Sequence, residues 1–376
     1  MRVLHIVGAR PNFMKVAPVR LALAHLPGVS QTLVHTGQHY DLNMSDIFFQ
    51  QLEIPRPDVN LEVGSGSHIE QTANIMTRLE PVVIERSPDV VLVYGDVNST
   101  MAGALVCAKL LVPVGHVEAG LRSHDRTMPE EINRVLTDQV SDLLFTPSTD
   151  GAENLMREGI SGDKIHFVGN VMIDTLVRCL PLCRDPRRTG FPDNYVLVTL
   201  HRPSNVDAPE MFFNILQTLN DIGRRIPVIF PVHPRARKNL GTAGTWRGIR
   251  FLDPIGYIEF LSLQKHARVV ITDSGGIQEE TTFLGIPCLT LRENTERPVT
   301  VTMGTNVLIG RDPARILSEV EQILADRTKG THVPPLWDGY AGERIAAVLA
   351  SWGANNPEDC RTGTRTMPNR HSNDSD

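Results

Sequence analysis

The stretch ARVVITDSGGIQEE, Ala267 to Glu280, decides how this chain folds. A short apolar run rich in β-branched residues ends at Thr272 and Asp273. The small residues Ser274, Gly275 and Gly276 follow, and a helical pattern opens behind them. A strand, a glycine turn and a helix in that order form a βα unit of a parallel sheet. The turn brings bare backbone N–H groups together with a helix N-terminus, which suits a phosphate. Glu280 stands about a turn and a half into the helix, within reach of a ribose diol. The glycines also satisfy the plainer demand of a tight turn.

Working outward, the same unit recurs. Apolar runs begin at Val3 (VLHIVG), Thr32 (TLVHT), Asp89 (DVVLVYG), Val112 (VPVGHVEA) and Asp142 (DLLFT). A second series begins at Asn194 (NYVLVTLH), Ile226 (IPVIFPVH), Ala267 and Ile286 (IPCLTL). Between the series, Pro181 to Pro192 is rich in Pro, Arg and Gly, a composition that opposes helix and strand. At 376 residues the chain exceeds what one hydrophobic core usually organises. The fold class predicted is therefore α/β, with two Rossmann-like domains facing across a cleft. Residues 1–169 form the first domain and 170–192 the hinge. Residues 193–337 form the second domain, 338–352 a closing helix and 353–376 a polar, disordered tail. Open α/β sheets bind ligands where the carboxyl ends of their strands meet such a cleft.

Composition excludes several classes. The net charge of −6 lacks the basic surface of a nucleic-acid binder, and HPRARK, ending at Lys238, is too short to supply one. No apolar run approaches the roughly 20 residues of a membrane span, and MRVLHIVGARP enters a strand without a secretory h-region. Five scattered cysteines suit a reducing compartment, so the cytoplasm is expected. Cys179 and Cys183 have no second pair in metal-ligand spacing, and no metal is expected. The first loop, GARPNFMKVAPV, is not a GxGxxG fingerprint, so no nicotinamide cofactor is expected either.

Candidate chemistry lies at the strand ends. Arg10 and Lys15 supply cations after the first strand, with surface positions equally compatible with the pattern. Asp96, Glu118 and Glu130 are acidic residues at or just after strand ends, where a carboxylate is costly unless paired or used. Asp96 also fits a helix N-cap region before Asn-Ser-Thr. Only one of the adjacent Glu130 and Glu131 can face inward, and Arg134, four residues after Glu130, is expected to pair with it. His201, Arg202 and His233 follow the first strands of the second domain, where an imidazole is well placed for proton transfer.

Taken as a set, GARPNFMK, HVEAGLRS, MPEEINR, TLHRPSNVD, TDSGGIQEE and NTERP resemble the non-hydrolysing UDP-N-acetylglucosamine 2-epimerases, over nearly the whole chain to Trp352. That resemblance implies a glycosyltransferase-B type fold, a homodimer and a UDP-sugar substrate. It implies UDP held by Arg10, Ser274, Gly275, Gly276 and Glu280, the last on the ribose. Lys15, Asp96, Glu118, Glu130, Arg134 and His201 would surround the sugar and its diphosphate, with Arg202, His233 and Arg297 also binding substrate. The implied reaction eliminates UDP across C1 and C2 to 2-acetamidoglucal, then adds it back with the proton delivered to the opposite face. Asp96 and Glu118 are assigned to proton transfer at C2.

Ser204 stands where many members have Glu in an HRxE pattern, Val299 stands where many read TERPE, and the SHDRTM loop is short. These departures resemble a subgroup acting on uronic-acid or diacetamido UDP sugars, with His124 and Arg126 placed to meet a C6 substituent. TGQHYDLNM matches the segment linked to substrate activation only through Gln38 and His39. A glycosyltransferase, a hydrolysing epimerase and a silent nucleotide-sugar sensor are the alternatives.

Overall fold

The computed structural model describes residues 1–37, 56–241, 246–327, 330 and 332–355. The divergent part of TGQHYDLNM and the tail from 356 onward lie outside the described residues. The first lobe holds a parallel sheet in the order β3-β2-β1-β4-β5-β6-β7. Its strands are β1 (Arg2–Val7), β2 (Ser30–His35), β3 (Val59–Asn60), β4 (Val90–Tyr94), β5 (Val114–Val117), β6 (Leu143–Thr146) and β7 (Ile165–Phe167). The second lobe holds a parallel sheet in the order β10-β9-β8-β11-β12-β13. These strands are β8 (Val196–Thr199), β9 (Val228–Pro231), β10 (Ile249–Leu252), β11 (Val269–Thr272), β12 (Cys288–Thr290) and β13 (Asn306–Leu308).

Central strands such as β4 and β11 are buried at every residue, as helices on both faces of a parallel sheet require. The four strands that sequence patterning does not resolve, β3, β7, β10 and β13, are the four sheet edges. Each has at least one partly exposed residue, so none presents a continuous apolar run.

The order reverses between β1 and β4 in the first sheet and between β8 and β11 in the second. These are the switch points where a doubly wound sheet opens a crevice; the segments carrying Lys15, Asp96, His201 and Ser274 leave from them, that of Glu118 from the neighbouring β5, and those of His233 and Arg297 from the adjoining β9 and β12.

The segment between the lobes carries a helix ahead of the Pro-, Arg- and Gly-rich stretch from Pro181 to Pro192. This buried helix, Val171–Cys179, is followed by two short 3₁₀ turns. The last helix, Ala341–Asn355, starts and ends about one turn later than the sequence suggests, and it returns to the first lobe. Ala341, Ile345 and Leu349 share a core with Val19, Leu23 and Leu176. Asp174 caps this helix from the hinge, accepting from the Ala341 and Gly342 amides at 3.1 and 2.7 Å. Gly342 is a close-approach position, where a Cβ would lie 2.8 Å from the Pro18 carbonyl.

Candidate active site

In the first lobe, the loops after β1 and β4 are tied together. Asn12 Oδ1 accepts from the Gly8 and Ala9 amides, each at 3.0 Å, and its Nδ2 donates to the Tyr94 carbonyl at 2.8 Å. One turn on, Lys15 is buried and its Nζ lies 2.6 Å from Glu118 Oε2. Gly95 has φ +66, and a Cβ there would sit 2.5 Å from that ammonium, so only glycine fits. Arg10 heads the helix Arg10–Ala24, and its side chain lies outside the described residues.

Asp96 follows Gly95 and accepts from Arg134 Nη2 at 2.5 Å. Burial opposes ionisation of its carboxyl, but Arg134, Lys15 and Arg297 hold it below the usual carboxylate range. Glu118 sits at the end of β5 with φ +76, a left-handed conformation that costs a non-glycine residue on the order of 1 kcal/mol or more. The Glu118 and Ala119 amides both donate to the Phe145 carbonyl, which holds the turn.

Arg134 does not pair with Glu130, contrary to the spacing argument. It pairs with Glu131, one turn back at i,i+3, whose carboxylate also accepts from the Ser123 and His124 amides. Glu131 is the buried member of the pair, and Glu130 is half-buried towards Arg202. A single helical step of about 100° separates the two, so adjacency alone cannot say which is buried.

In the second lobe, Asp273 organises the loop after β8. It accepts from the His201 and Arg202 amides and from Asn205 Nδ2, and its Oδ1 lies 2.9 Å from His201 Nδ1. The His201 side chain is 41% exposed, so its Nε2 edge is open to the cleft. The His233 ring lies beside it, tilted by 49° with centroids 5.8 Å apart, and accepts from the Arg235 amide as a helix cap. Ser274 caps the helix Gly275–Leu284, and its amide donates to Thr272 Oγ1 at 3.0 Å. A Cβ on Gly275 would come 2.4 Å from Arg297 Nη1, whereas Gly276 has room.

Arg297 is the buried centre of the site. Its Nη2 reaches Glu118 Oε1 at 2.9 Å, its Nε lies 2.8 Å from Glu279 Oε1, and its Nη1 pairs with Glu296. Burial opposes the charge on Arg297, and the carboxylates of Glu279, Glu296 and Glu118 more than restore it. Arg292 pairs with Glu296 at 2.7 Å. Burial resists ionisation of Glu296, but Arg297 and Arg292 keep it well below its usual range. Glu279 behaves oppositely: burial pushes its carboxyl up against the pull of Arg297, and the negative charge of Glu118 adds to the rise.

Glu280 is 2% exposed and accepts from the Tyr257 hydroxyl at 3.0 Å. Glu279, on the helix face shared with Gly275, is the residue that joins the ion cluster. Asp273 and Glu279 are members of these clusters that the sequence reading does not single out. Asp273 meets the strand-end criterion applied to Asp96, and Glu279 lies four residues after Gly275.

The lobes meet at more than Arg297. Met128 Sδ is 3.7 Å from Arg202 Nη1, and Asn294 Nδ2 is 3.4 Å from Asp125 Oδ2. His124 and Arg126 in this loop are exposed. The arrangement sets two carboxylates and a lysine from one lobe against an amide-lined helix N-terminus, three arginines and an oriented imidazole from the other. It can neutralise a diphosphate and move a proton. No group of side chains with metal-binding geometry occurs among the described residues, nor is any helix there long and apolar enough to cross a membrane.

A family model for UDP-N-acetylglucosamine 2-epimerase matches residues 21–350. The UDP-N-acetylglucosamine 2-epimerase of Methanococcus maripaludis is 43% identical, covering 92% of this chain and 97% of its own. The UDP-2,3-diacetamido-2,3-dideoxy-D-glucuronate 2-epimerase of Pseudomonas aeruginosa is also 43% identical, covering 93% and 99%. Among solved structures, the UDP-GlcNAc 2-epimerase of Methanocaldococcus jannaschii in complex with UDP-GlcNAc and UDP superposes with a TM-score of 0.86. It is 42% identical and covers 93% of this chain and all of that one.

Proposed function

The chain belongs to the UDP-N-acetylglucosamine 2-epimerase family, and from that premise we propose that it reversibly inverts C2 of UDP-N-acetylglucosamine to give UDP-N-acetylmannosamine. The carrying observation is Glu118, clamped between Lys15 of its own lobe and Arg297 of the other, the guanidinium that also lies against Gly275. A proton-transfer group and a diphosphate cradle are thereby brought to one place.

The chemistry dictates this set. The C2 hydrogen has no adjacent carbonyl to acidify it, so cleavage of the C1–O bond must run ahead. The ring then gains positive character that nearby carboxylates stabilise. The amides of Gly275 and Gly276, with Arg202 and Arg297, receive the departing diphosphate. Glu118 or Asp96 takes the proton from one face, leaving 2-acetamidoglucal and UDP. Reversal with protonation from the opposite face inverts the centre, and it needs a second acid of different protonation state. Glu280, whose carboxylate accepts from the Tyr257 hydroxyl, is assigned to the ribose by the family resemblance. His201, oriented by Asp273, serves the leaving diphosphate. We place the enzyme as a homodimer in a reducing cytoplasm, consistent with the free thiols of Cys107, Cys179, Cys183 and Cys288.

Incubation with UDP-N-acetylglucosamine in deuterated water tests the reading. Deuterium at C2 together with an epimer is the expected result, and neither label nor epimer rejects it for that sugar. A second substrate, a uronic-acid relative of that sugar, is favoured by Arg202 and Arg292, two guanidiniums side by side beneath Met128. Parallel turnover of the 6-carboxylate sugar separates the two.

A further inference from the structure

The strained turn at Glu118 and the glycine turn before Asp96 are braced from below by a side-chain pair on β5 and the helix Pro129–Val140. His116 is fully buried, with Nδ1 2.6 Å from Asp138 Oδ1 and Nε2 2.8 Å from the Gly95 carbonyl. A carboxylate and a carbonyl only accept. Hydrogen-bonding partners thus engage both edges of the ring. Asp138 is equally buried, and its other oxygen accepts from the Gly120 amide at 3.2 Å and lies 2.7 Å from Arg122 Nη2. Arg122 continues to Glu158 with two bonds, 2.8 and 2.6 Å.

Neither His116 nor Asp138 reaches the cleft. Between them they hold the carbonyl next to Asp96 and the amide two residues after Glu118. Gly95, Glu118 and Gly120 all have positive φ, at +66, +76 and +82. Gly95 and Gly120 adopt this region at no steric cost, but Glu118 does not, and it persists there only where the surroundings over-determine it. A buried, charge-assisted pair is directional enough to do so.

We propose that His116 and Asp138 are a positioning pair, fixing the spacing between the Asp96 and Glu118 carboxylates for the two proton transfers at C2. This rests on the epimerase reading. A displacement on the scale of an ångström at a proton-transfer group costs up to about 100-fold in rate. The nucleotide grip is built on the other lobe and is untouched.

Two variants separate the links. In His116→Asn the amide takes the place of Nδ1 and loses the Gly95 carbonyl. In His116→Gln it takes the place of Nε2 and keeps that carbonyl. His116→Asn is expected to lower kcat by about 10- to 100-fold with UDP affinity nearly unchanged, and His116→Gln to recover much of the rate. In the wild-type protein, ¹⁵N NMR should show both His116 ring nitrogens engaged in hydrogen bonds. Wild-type-like kcat in His116→Asn overturns the proposal. Equal losses of rate, UDP affinity and melting temperature in both variants also overturn it, as does a His116 spectrum with one nitrogen free of hydrogen bonding. If the wild-type protein epimerises neither UDP sugar, the functional reading fails, and the catalytic half of this proposal goes with it. The ring-nitrogen spectrum would still decide the brace itself.

Discussion

Glu118 of the first lobe and Arg297 of the second meet in a buried ion pair, Oε1 to Nη2 at 2.9 Å, across 179 residues of sequence. The same guanidinium serves Glu279 and Glu296, so one cation links the acid/base side of the cleft to its nucleotide side. Removing either partner leaves buried charge uncompensated.

Glu118→Gln keeps the shape of the side chain and removes its basicity. The expected outcome is a kcat lower by about 10²- to 10⁴-fold with UDP still bound, because the diphosphate cradle lies on the other lobe. Steady-state rates beside UDP titration calorimetry check it. Undiminished turnover would remove Glu118 from the chemistry.

Asp273→Asn unfastens His201. The carboxylate holds the His201 and Arg202 amides and the imidazole at once, so its loss frees the ring to rotate. We expect a fall in kcat of about 10²-fold, accompanied by destabilisation of about 1–3 kcal/mol from the lost charge-assisted bonds. Denaturant melts beside kinetics distinguish the two contributions, and normal rates with lowered stability would reduce Asp273 to scaffolding.

Glu280 gives a pH-dependent stability of known sign. Burial raises its carboxyl from the ordinary 4.5 to about 7, with Tyr257 and Gln264 pulling the other way. The folded state thus binds the proton more tightly than the unfolded chain. The stability this group provides is full below about pH 4.5 and is lost as pH rises through 7, to a limit of about 3 kcal/mol. Glu280→Gln avoids that loss, so its advantage over the wild-type protein in thermal melts should widen from pH 5 to pH 8. A difference constant across this range would contradict the assignment.

Asp174→Ala should loosen the closing helix. Two amides at the start of Ala341–Asn355 lose their acceptor, at a cost of about 1–2 kcal/mol. Hydrogen exchange should rise first at Ala341 and Gly342. Unchanged protection there would show that packing against Val19 and Leu23 suffices alone.

The residue order alone settles much of this molecule. Parallel strands buried on both faces read as unbroken apolar runs, so the central strands and the turns that end them were legible. Asp96, Glu118, His201 and Ser274 are candidates because each stands at such an end. The edge strands β3, β7, β10 and β13 were not legible, because a strand with one neighbour needs no continuous apolar run.

Tertiary structure decided the rest. Glu130 against Glu131, and Glu279 against Glu280, differ by one helical step of about 100°. Which one is buried, or joins the ions, depends on how each helix is docked, and no local pattern carries that angle. The pairing of Glu118 with Arg297 depends likewise on two separately wound sheets coming together. The final helix crosses back to the first lobe because its apolar face finds Val19 and Leu23 there. Burial of apolar surface is non-directional and shows in composition and period. Charge pairing is short-ranged and geometric, so it exists only once the lobes have met.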